Sequence, residues 1–132
     1  MRDIKPIITT EFNIEGNPID SFVELVLEVK PSQVTLVPDT HDQITSNQGW
    51  DTIANEKFLT DICRTFKQSG IRTSIFVDPS VEMVEGAKAA GADRIELYTE
   101  PYASLFPTDR EAAIAPFIKA AEKAKELGLG LN

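Results

Sequence analysis

Short runs built for a pleated strand alternate along this chain with longer stretches in which apolar residues return every three to four positions. The first pattern predicts strands at 6–14, 33–37, 72–77, 94–98 and 129–132, and the second predicts helices at 19–29, 51–68, 80–90 and 110–127. The last helix carries one apolar stripe, through Ala112, Ala113, Pro116, Phe117, Ala120, Ala121, Ala124 and Leu127, with Lys119, Glu122, Lys123 and Glu126 outside it. Pro116 inside that run predicts a kink or a late helix start. Gly70, Gly91 and Gly128 each follow a helical run and precede a strand, where a left-handed residue ends a helix. Asp78-Pro79 and Asn17-Pro18 read as helix openings with a cap and a first-turn proline, and Asp109 as the cap of the last helix.

Alternating strands and helices imply a parallel sheet with right-handed crossovers. About five strands fit an open, doubly wound sheet or an arc of a (β/α)₈ barrel equally well by count. The strand faces favour the barrel. In 94–98, Ile95 and Leu97 take one face and Arg94, Glu96 and Tyr98 the other. In 11–15, Phe12 and Ile14 oppose Glu11, Asn13 and Glu15. An open parallel sheet is covered by helices on both faces and wants both apolar. A barrel has one face toward its helices and one toward a lumen that can hold polar groups.

The 132 residues suffice for one domain but fall short of a complete barrel, which takes roughly 200 or more. A formal net charge of −8 argues against an electrostatic grip on nucleic acid or an anionic membrane. It does not exclude anionic substrates, because a site can be locally positive or use backbone N–H groups. Cys63 is the single cysteine, so no internal disulfide can form; it lies in a helical run and reads as a buried thiol rather than a nucleophile. No apolar run approaches the roughly 18 residues of a membrane span, and the first residues lack a signal peptide's apolar stretch. The expected compartment is the cytoplasm.

Glu96 is the most informative residue, because a carboxylate inside a parallel strand is costly unless something uses it. It is either a structural partner of Arg94 or of a basic group across the lumen, or an active-site carboxylate near the C-terminal end of a barrel strand. Glu15 ends its strand before Gly16-Asn17-Pro18, a position at the catalytic face, or is a solvated loop acid. Glu11 lies deeper and reads as an ion-pair partner. The segment 38–51 is long for a βα loop, and long loops in compact domains are often functional. Its Thr45, Ser46 and Asn47 could bind phosphate or hydroxyl groups, or serve ordinary turns. His41, the only histidine, stands alone in a polar loop. Neither a metal-ligand spacing nor a Gly-rich nucleotide fingerprint is present.

Four blocks closely resemble the pyridoxine 5′-phosphate synthase family: Thr10-Glu11-Phe12-Asn13-Ile14-Glu15-Gly16; Lys30-Pro31-Ser32-Gln33-Val34-Thr35-Leu36-Val37-Pro38; Gln43-Ile44-Thr45-Ser46-Asn47-Gln48-Gly49-Trp50-Asp51; and the run from Ala90 through Ile95-Glu96-Leu97-Tyr98-Thr99 to Ala103. The likeness runs the length of the chain. It implies a (β/α)₈ barrel with extra helices that assembles into homo-oligomers, and the last step of the deoxyxylulose-phosphate route to vitamin B6. In that step 3-amino-2-oxopropyl phosphate condenses with 1-deoxy-D-xylulose 5-phosphate, giving pyridoxine 5′-phosphate, phosphate and water, with no metal or organic cofactor. By the same resemblance Glu15 matches a general base, Thr45 a residue that holds the deoxyxylulose phosphate, and Glu96 a carboxylate that stabilises a cationic transition state.

The sequence departs from that family's pattern in three places. Two first strands, with an asparagine-rich and a His-Pro-Arg-Pro motif, have no counterpart here. The family continues past Gly130-Leu131-Asn132 into a glycine–histidine pair that holds its general acid. Where many relatives read Ile-His-Thr-Gly, this chain reads Leu97-Tyr98-Thr99-Glu100. The expectation is therefore a partial barrel domain over 1–132, with roughly five strands and four helices, lacking the N-terminal strands and the C-terminal end, and inactive in isolation. Two readings from other classes stand beside it: a non-catalytic α/β domain for binding phosphometabolites or for assembly, and a complete small binding protein of flavodoxin-like layout.

Overall fold

The computed structural model describes residues 1–39 and 48–132. Among them run β1 (Asn13–Gly16), α1 (Asp20–Val29), β2 (Gln33–Leu36), α2 (Glu56–Gln68), β3 (Arg72–Val77), α3 (Val81–Ala89), β4 (Arg94–Leu97), α4 (Glu100–Leu105), α5 (Arg110–Glu126) and β5 (Gly130–Leu131). A short 3₁₀ turn, Lys5–Ile7, precedes β1. The strands are all parallel and lie side by side in chain order, β1-β2-β3-β4-β5.

That order decides the architecture. A flavodoxin-like sheet reverses direction at a switch point and so carries helices on both faces. Here the order never reverses, and successive crossovers of one hand put every helix on the same side. This is the arrangement of consecutive units of a (β/α)₈ barrel.

The register separates the two faces. Gly16, Leu36, Ile75, Ile95 and Leu131 stand in one row across all five strands. With Ile14, Val34, Val77 and Leu97 they face the helices, where Val26, Leu59, Phe66, Val84, Ala120 and Ala124 close the core. Leu59 and Phe66 are fully buried, and each such side chain contributes about 1.5–3 kcal/mol of burial. The neighbouring row on the other face reads Glu15, Thr35, Ser74, Arg94, Gly130.

Several local expectations are corrected. The strand foreseen at 6–14 forms only at Asn13–Gly16, because Pro6 has no N–H for a ladder and Lys5–Ile7 winds into the 3₁₀ turn. Asn17 does not cap α1, whose cap position is Ile19 without a side-chain bond. Asp78 does not cap α3 either; its carboxylate accepts from the Gly49 N–H at 3.1 Å, and Ser80 holds the cap position. The helix foreseen from 51 starts at Glu56, after a turn in which Asp51 Oδ1 accepts from the N–H groups of Ile53 and Ala54. The short helix α4 was not foreseen, since six residues are too few to establish a period. The last helix runs through Pro116 without a late start. Asp109 caps it as expected, accepting from Ala112 N at 3.0 Å, and Gly70, Gly91 and Gly128 take positive φ of 73°, 95° and 74°.

Cys63 is buried on α2, and burial, followed by the charge of Asp93, pushes its thiol up to about 12. It is a core residue, not a nucleophile. No described helix is long and apolar enough to cross a membrane.

One close packing contact is directly testable. A Cβ on Gly86 of α3 would lie 2.1 Å from Thr52 Oγ1, and Thr52 is fully buried with that hydroxyl donating to the Met83 carbonyl at 2.9 Å. Gly→Ala inside a helix ordinarily stabilises by about 1 kcal/mol. Here Gly86→Ala is expected to destabilise by about 1–3 kcal/mol through overpacking. In a Thr52→Ala background the loss should shrink but not vanish, because the Cβ of residue 52 would still lie 2.8 Å away; urea midpoints of the four proteins measure it.

Candidate active site

Side chains on the inner face are polar at nearly every position, and they bond to one another. Thr35 Oγ1 donates to Asn13 Oδ1 at 2.9 Å. Arg72 donates through Nε to Gln33 Oε1 at 2.7 Å and through Nη2 to Glu11 Oε2 at 2.8 Å. Glu11 is thus the ion-pair partner the sequence suggested, although it is 70% exposed. Arg94 donates through Nε to Asn132 Oδ1 at 2.7 Å and through Nη2 to the Leu131 carbonyl at 3.0 Å, and Asn132 Nδ2 donates to Ser74 Oγ at 3.1 Å. Each arginine begins its strand, so the cations sit toward the N-terminal ends of β3 and β4.

Glu96 sits toward the other end, while Glu15 stands in the same cross-strand row as Arg94. Glu15 is the third residue of β1 and Glu96 the third of β4, one pleat beyond Arg94 on the same face. Phe76 stands in register with Glu96, and its ring packs edge-on against Tyr98 at 5.7 Å between centroids. Glu96 is half-buried. Among the described residues its carboxylate has neither a hydrogen-bond donor nor a basic partner, so pairing with Arg94 is not what holds it. Burial first, and the negative charge of Glu15 second, push its carboxyl above the usual 4.5. The fold therefore brings Glu15 and Glu96 into one electrostatic field.

Glu15 opens into a cleft of about 830 Å³ with Gly16, Asn17, Phe22, Val37 and Asp39 on its walls. Gly16 permits this wall: a Cβ there would lie 2.4 Å from the Phe22 ring. The far end of the long loop is fastened beside the same strand ends. Trp50 N–H donates to the Phe76 carbonyl at 2.8 Å, and Trp50 Nε1 to the Leu36 carbonyl at 3.1 Å. A Cβ on Gly49 would meet the Val77 backbone at 2.4 Å, so only glycine fits between the loop and β3. Thr45, and with it His41, Ser46 and Asn47, lies outside the described residues. Among the described residues, no group of three or more His, Cys, Asp or Glu is placed to hold a metal ion.

Sequence reasoning missed the hydrogen-bonded pair Asn13 and Thr35 and the roles of Ser74 and Asn132 beside Arg94. For Thr35 the signal was present: Gln33-Val34-Thr35-Leu36 alternates on the same two-residue period that singled out β4, whereas Arg72-Thr73-Ser74 is polar throughout.

The family described as "Pyridoxal phosphate biosynthesis protein PdxJ" matches residues 1–132. The chain is 64% identical over 130 residues to the pyridoxine 5′-phosphate synthase of Phocaeicola vulgatus and 62% identical over 130 residues to that of Cytophaga hutchinsonii. It is 59% identical over 131 residues to that of Flavobacterium johnsoniae. These likenesses cover 98–99% of the chain and 55% of each relative, so the chain spans about half the length of the curated relatives it matches.

The raised carboxyl of Glu96 has a stability consequence of definite sign. Its folded-state pKa lies above the unfolded value, so its contribution to the fold is fully present below 4.5 and is lost as pH rises through the folded pKa. Glu96→Gln keeps a neutral group at every pH. The variant should therefore have a higher urea midpoint than the parent at pH 8 and the same midpoint near pH 4. A structural ion pair would give the opposite result at pH 8, since losing one partner of a buried pair costs about 3–5 kcal/mol.

Proposed function

Because the chain belongs to the PdxJ family of pyridoxal phosphate biosynthesis proteins, we propose that it is a contiguous part of a (β/α)₈ barrel enzyme that makes pyridoxine 5′-phosphate. The substrates are 3-amino-2-oxopropyl phosphate and 1-deoxy-D-xylulose 5-phosphate, joined by new carbon–carbon and carbon–nitrogen bonds with release of phosphate and water. The observation that carries this reading is the placement of Glu15 and Glu96. Both stand toward the C-terminal ends of parallel strands, on the polar face, where barrel enzymes do their chemistry.

Glu15, at the mouth of the cleft, is the general base that accepts a proton from the condensing substrate. Glu96 faces the positive charge that develops as the amine becomes an imine-like cation. A carboxylate held without a resident counter-ion in a partly desolvated site supports such a charge at little reorganisation cost. Thr45 is assigned to holding the deoxyxylulose phosphate. Arg72 and Arg94 are committed to other partners, so the phosphates rely on groups elsewhere in the enzyme. The working enzyme is a cytoplasmic homo-oligomer in this reading. Among the described residues β1 and β5 each have one neighbour, and such edges are covered in a closed barrel.

The test uses the full-length protein that carries this sequence. Given both phosphorylated substrates, it should release phosphate and form pyridoxine 5′-phosphate; consumption of neither removes the assignment. Glu96→Gln should lower turnover roughly 100-fold or more, with KM changing less, because the cation exists mainly in the transition state. The isolated 132-residue chain should show no turnover and should self-associate.

A further inference from the structure

Arg94 precedes Glu96 by two residues on the same face of β4, yet the two do not pair. At about 3.3 Å per residue their Cα atoms stand roughly 6.6 Å apart, within reach of a guanidinium. An arginine beside a half-buried carboxylate would ordinarily close on it. Three neighbours prevent this. Gly130 stands in register with Arg94, and a Cβ there would lie 2.8 Å from Arg94 Cγ and 3.1 Å from Nε. The arginine therefore lies flat across β5, over the space that glycine leaves open. Beyond it, Asn132 Oδ1 accepts from Arg94 Nε at 2.7 Å. Asn132 cannot present its amide the other way round, because its Nδ2 donates to Ser74 Oγ at 3.1 Å and a flip would set an NH₂ group against the guanidinium. The Asn132 backbone is pinned as well, its N–H donating to the Ile95 carbonyl at 2.9 Å.

We infer that Gly130, Asn132 and Ser74 form a tether that holds the Arg94 guanidinium off Glu96, so that the carboxylate remains without a counter-ion and open to the cation of the reaction. This inference rests on the assignment of Glu96 above. The three are positioning residues that act through Arg94. A resident ion pair would neutralise Glu96 before substrate arrives, and its charge would then do little more for the transition state than for the ground state. Among the described residues, the other titratable or charged groups on this face are Glu11 and Glu15, Arg72 of β3, which is held by Gln33 and Glu11, Asp39 following β2, Asp78 following β3, and Tyr98 following β4. Arg94 is thus the nearest basic side chain in sequence on Glu96's own strand face. The raised carboxyl of Glu96 agrees with a group left unpaired.

The experiment compares the full-length parent with Asn132→Ala and with Asn132→Ala/Arg94→Met. Carboxyl ¹³C resonances of glutamate-labelled protein are followed with pH, and Glu96 is assigned by its loss in Glu96→Gln. In Asn132→Ala the guanidinium, left with only the Leu131 carbonyl at 3.0 Å, should turn to pair with Glu96, which then titrates at lower pH. Turnover should fall roughly tenfold, the equivalent of about 1.4 kcal/mol of transition-state stabilisation, with KM changing less. Adding Arg94→Met should return both the titration and the turnover toward the parent. If Asn132→Ala does not fold, Ser74→Ala, which frees Asn132 to turn, carries the same comparison. An unchanged Glu96 titration in the folded single variant overturns the tether, as does a loss that Arg94→Met leaves in place. If the titration moves and returns while turnover stays constant, the tether stands and the assignment of Glu96 to the reaction falls.

Discussion

Parallel strands laid down in chain order, each connected to the next by a crossover of the same hand, leave one face of the sheet without helices. Everything distinctive in this molecule follows from that constraint. The covered face must be apolar, and it is, from Ile14 through Leu36 and Ile75 to Ile95. The uncovered face can carry groups that no doubly wound sheet would tolerate between two helix layers, because burying each of them without partners would cost several kcal/mol. Eight residues on β1 to β4, from Asn13 and Glu15 to Arg94 and Glu96, and Asn132 just beyond β5 use that freedom.

How those polar groups are satisfied then separates scaffold from site. Toward the N-terminal ends of the strands, Arg72 and Arg94 are matched to amide oxygens, a carbonyl and a carboxylate, each donor meeting an acceptor within 3.0 Å. These are hydrogen bonds to charged groups, about twice as strong as neutral ones, and they tie neighbouring strands together across the inner face. Toward the C-terminal ends the matching stops. Glu96 has no donor among the described residues and shares its surroundings with a second carboxylate. A face that bonds both its arginines and leaves an acid unpaired among the described residues concentrates electrostatic cost at one place, and such places are where pKa perturbation and catalysis coincide.

The cleft beside Glu15 and the anchoring of Gly49 and Trp50 belong to the same end of the sheet. Glycines at 16 and 49 permit approaches of ring and backbone that any Cβ would block. Trp50 closes the outer side by spending its indole N–H on the Leu36 carbonyl, so the loop that follows β2 returns to a fixed point over β2 and β3. The chain spans about half the length of the curated relatives it matches.

Much of this was legible in the order of residues. Period and punctuation located four of the five strands and the four longer helices, since a glycine at a left-handed helix end and an alternation of Ile95, Leu97 with Arg94, Glu96 are local properties. The one-sided character of the sheet, and hence the barrel, was legible for the same reason: side-chain alternation is fixed by the pleat. Pro6 defeated the first strand and six-residue α4 escaped notice because a missing N–H and a short helix leave little periodic trace. What only the tertiary structure decided was the choice of partner. The sequence offered Arg94 to Glu96 at two residues' distance and gave no reason to prefer Asn132, which lies 38 positions away. Partners across a sheet are set by register, and register arises only when β4 and β5 align so that a glycine stands opposite the arginine. The same holds for Glu15 and Glu96, which lie on strands with two others between them and acquire a common field only when those strands pack side by side.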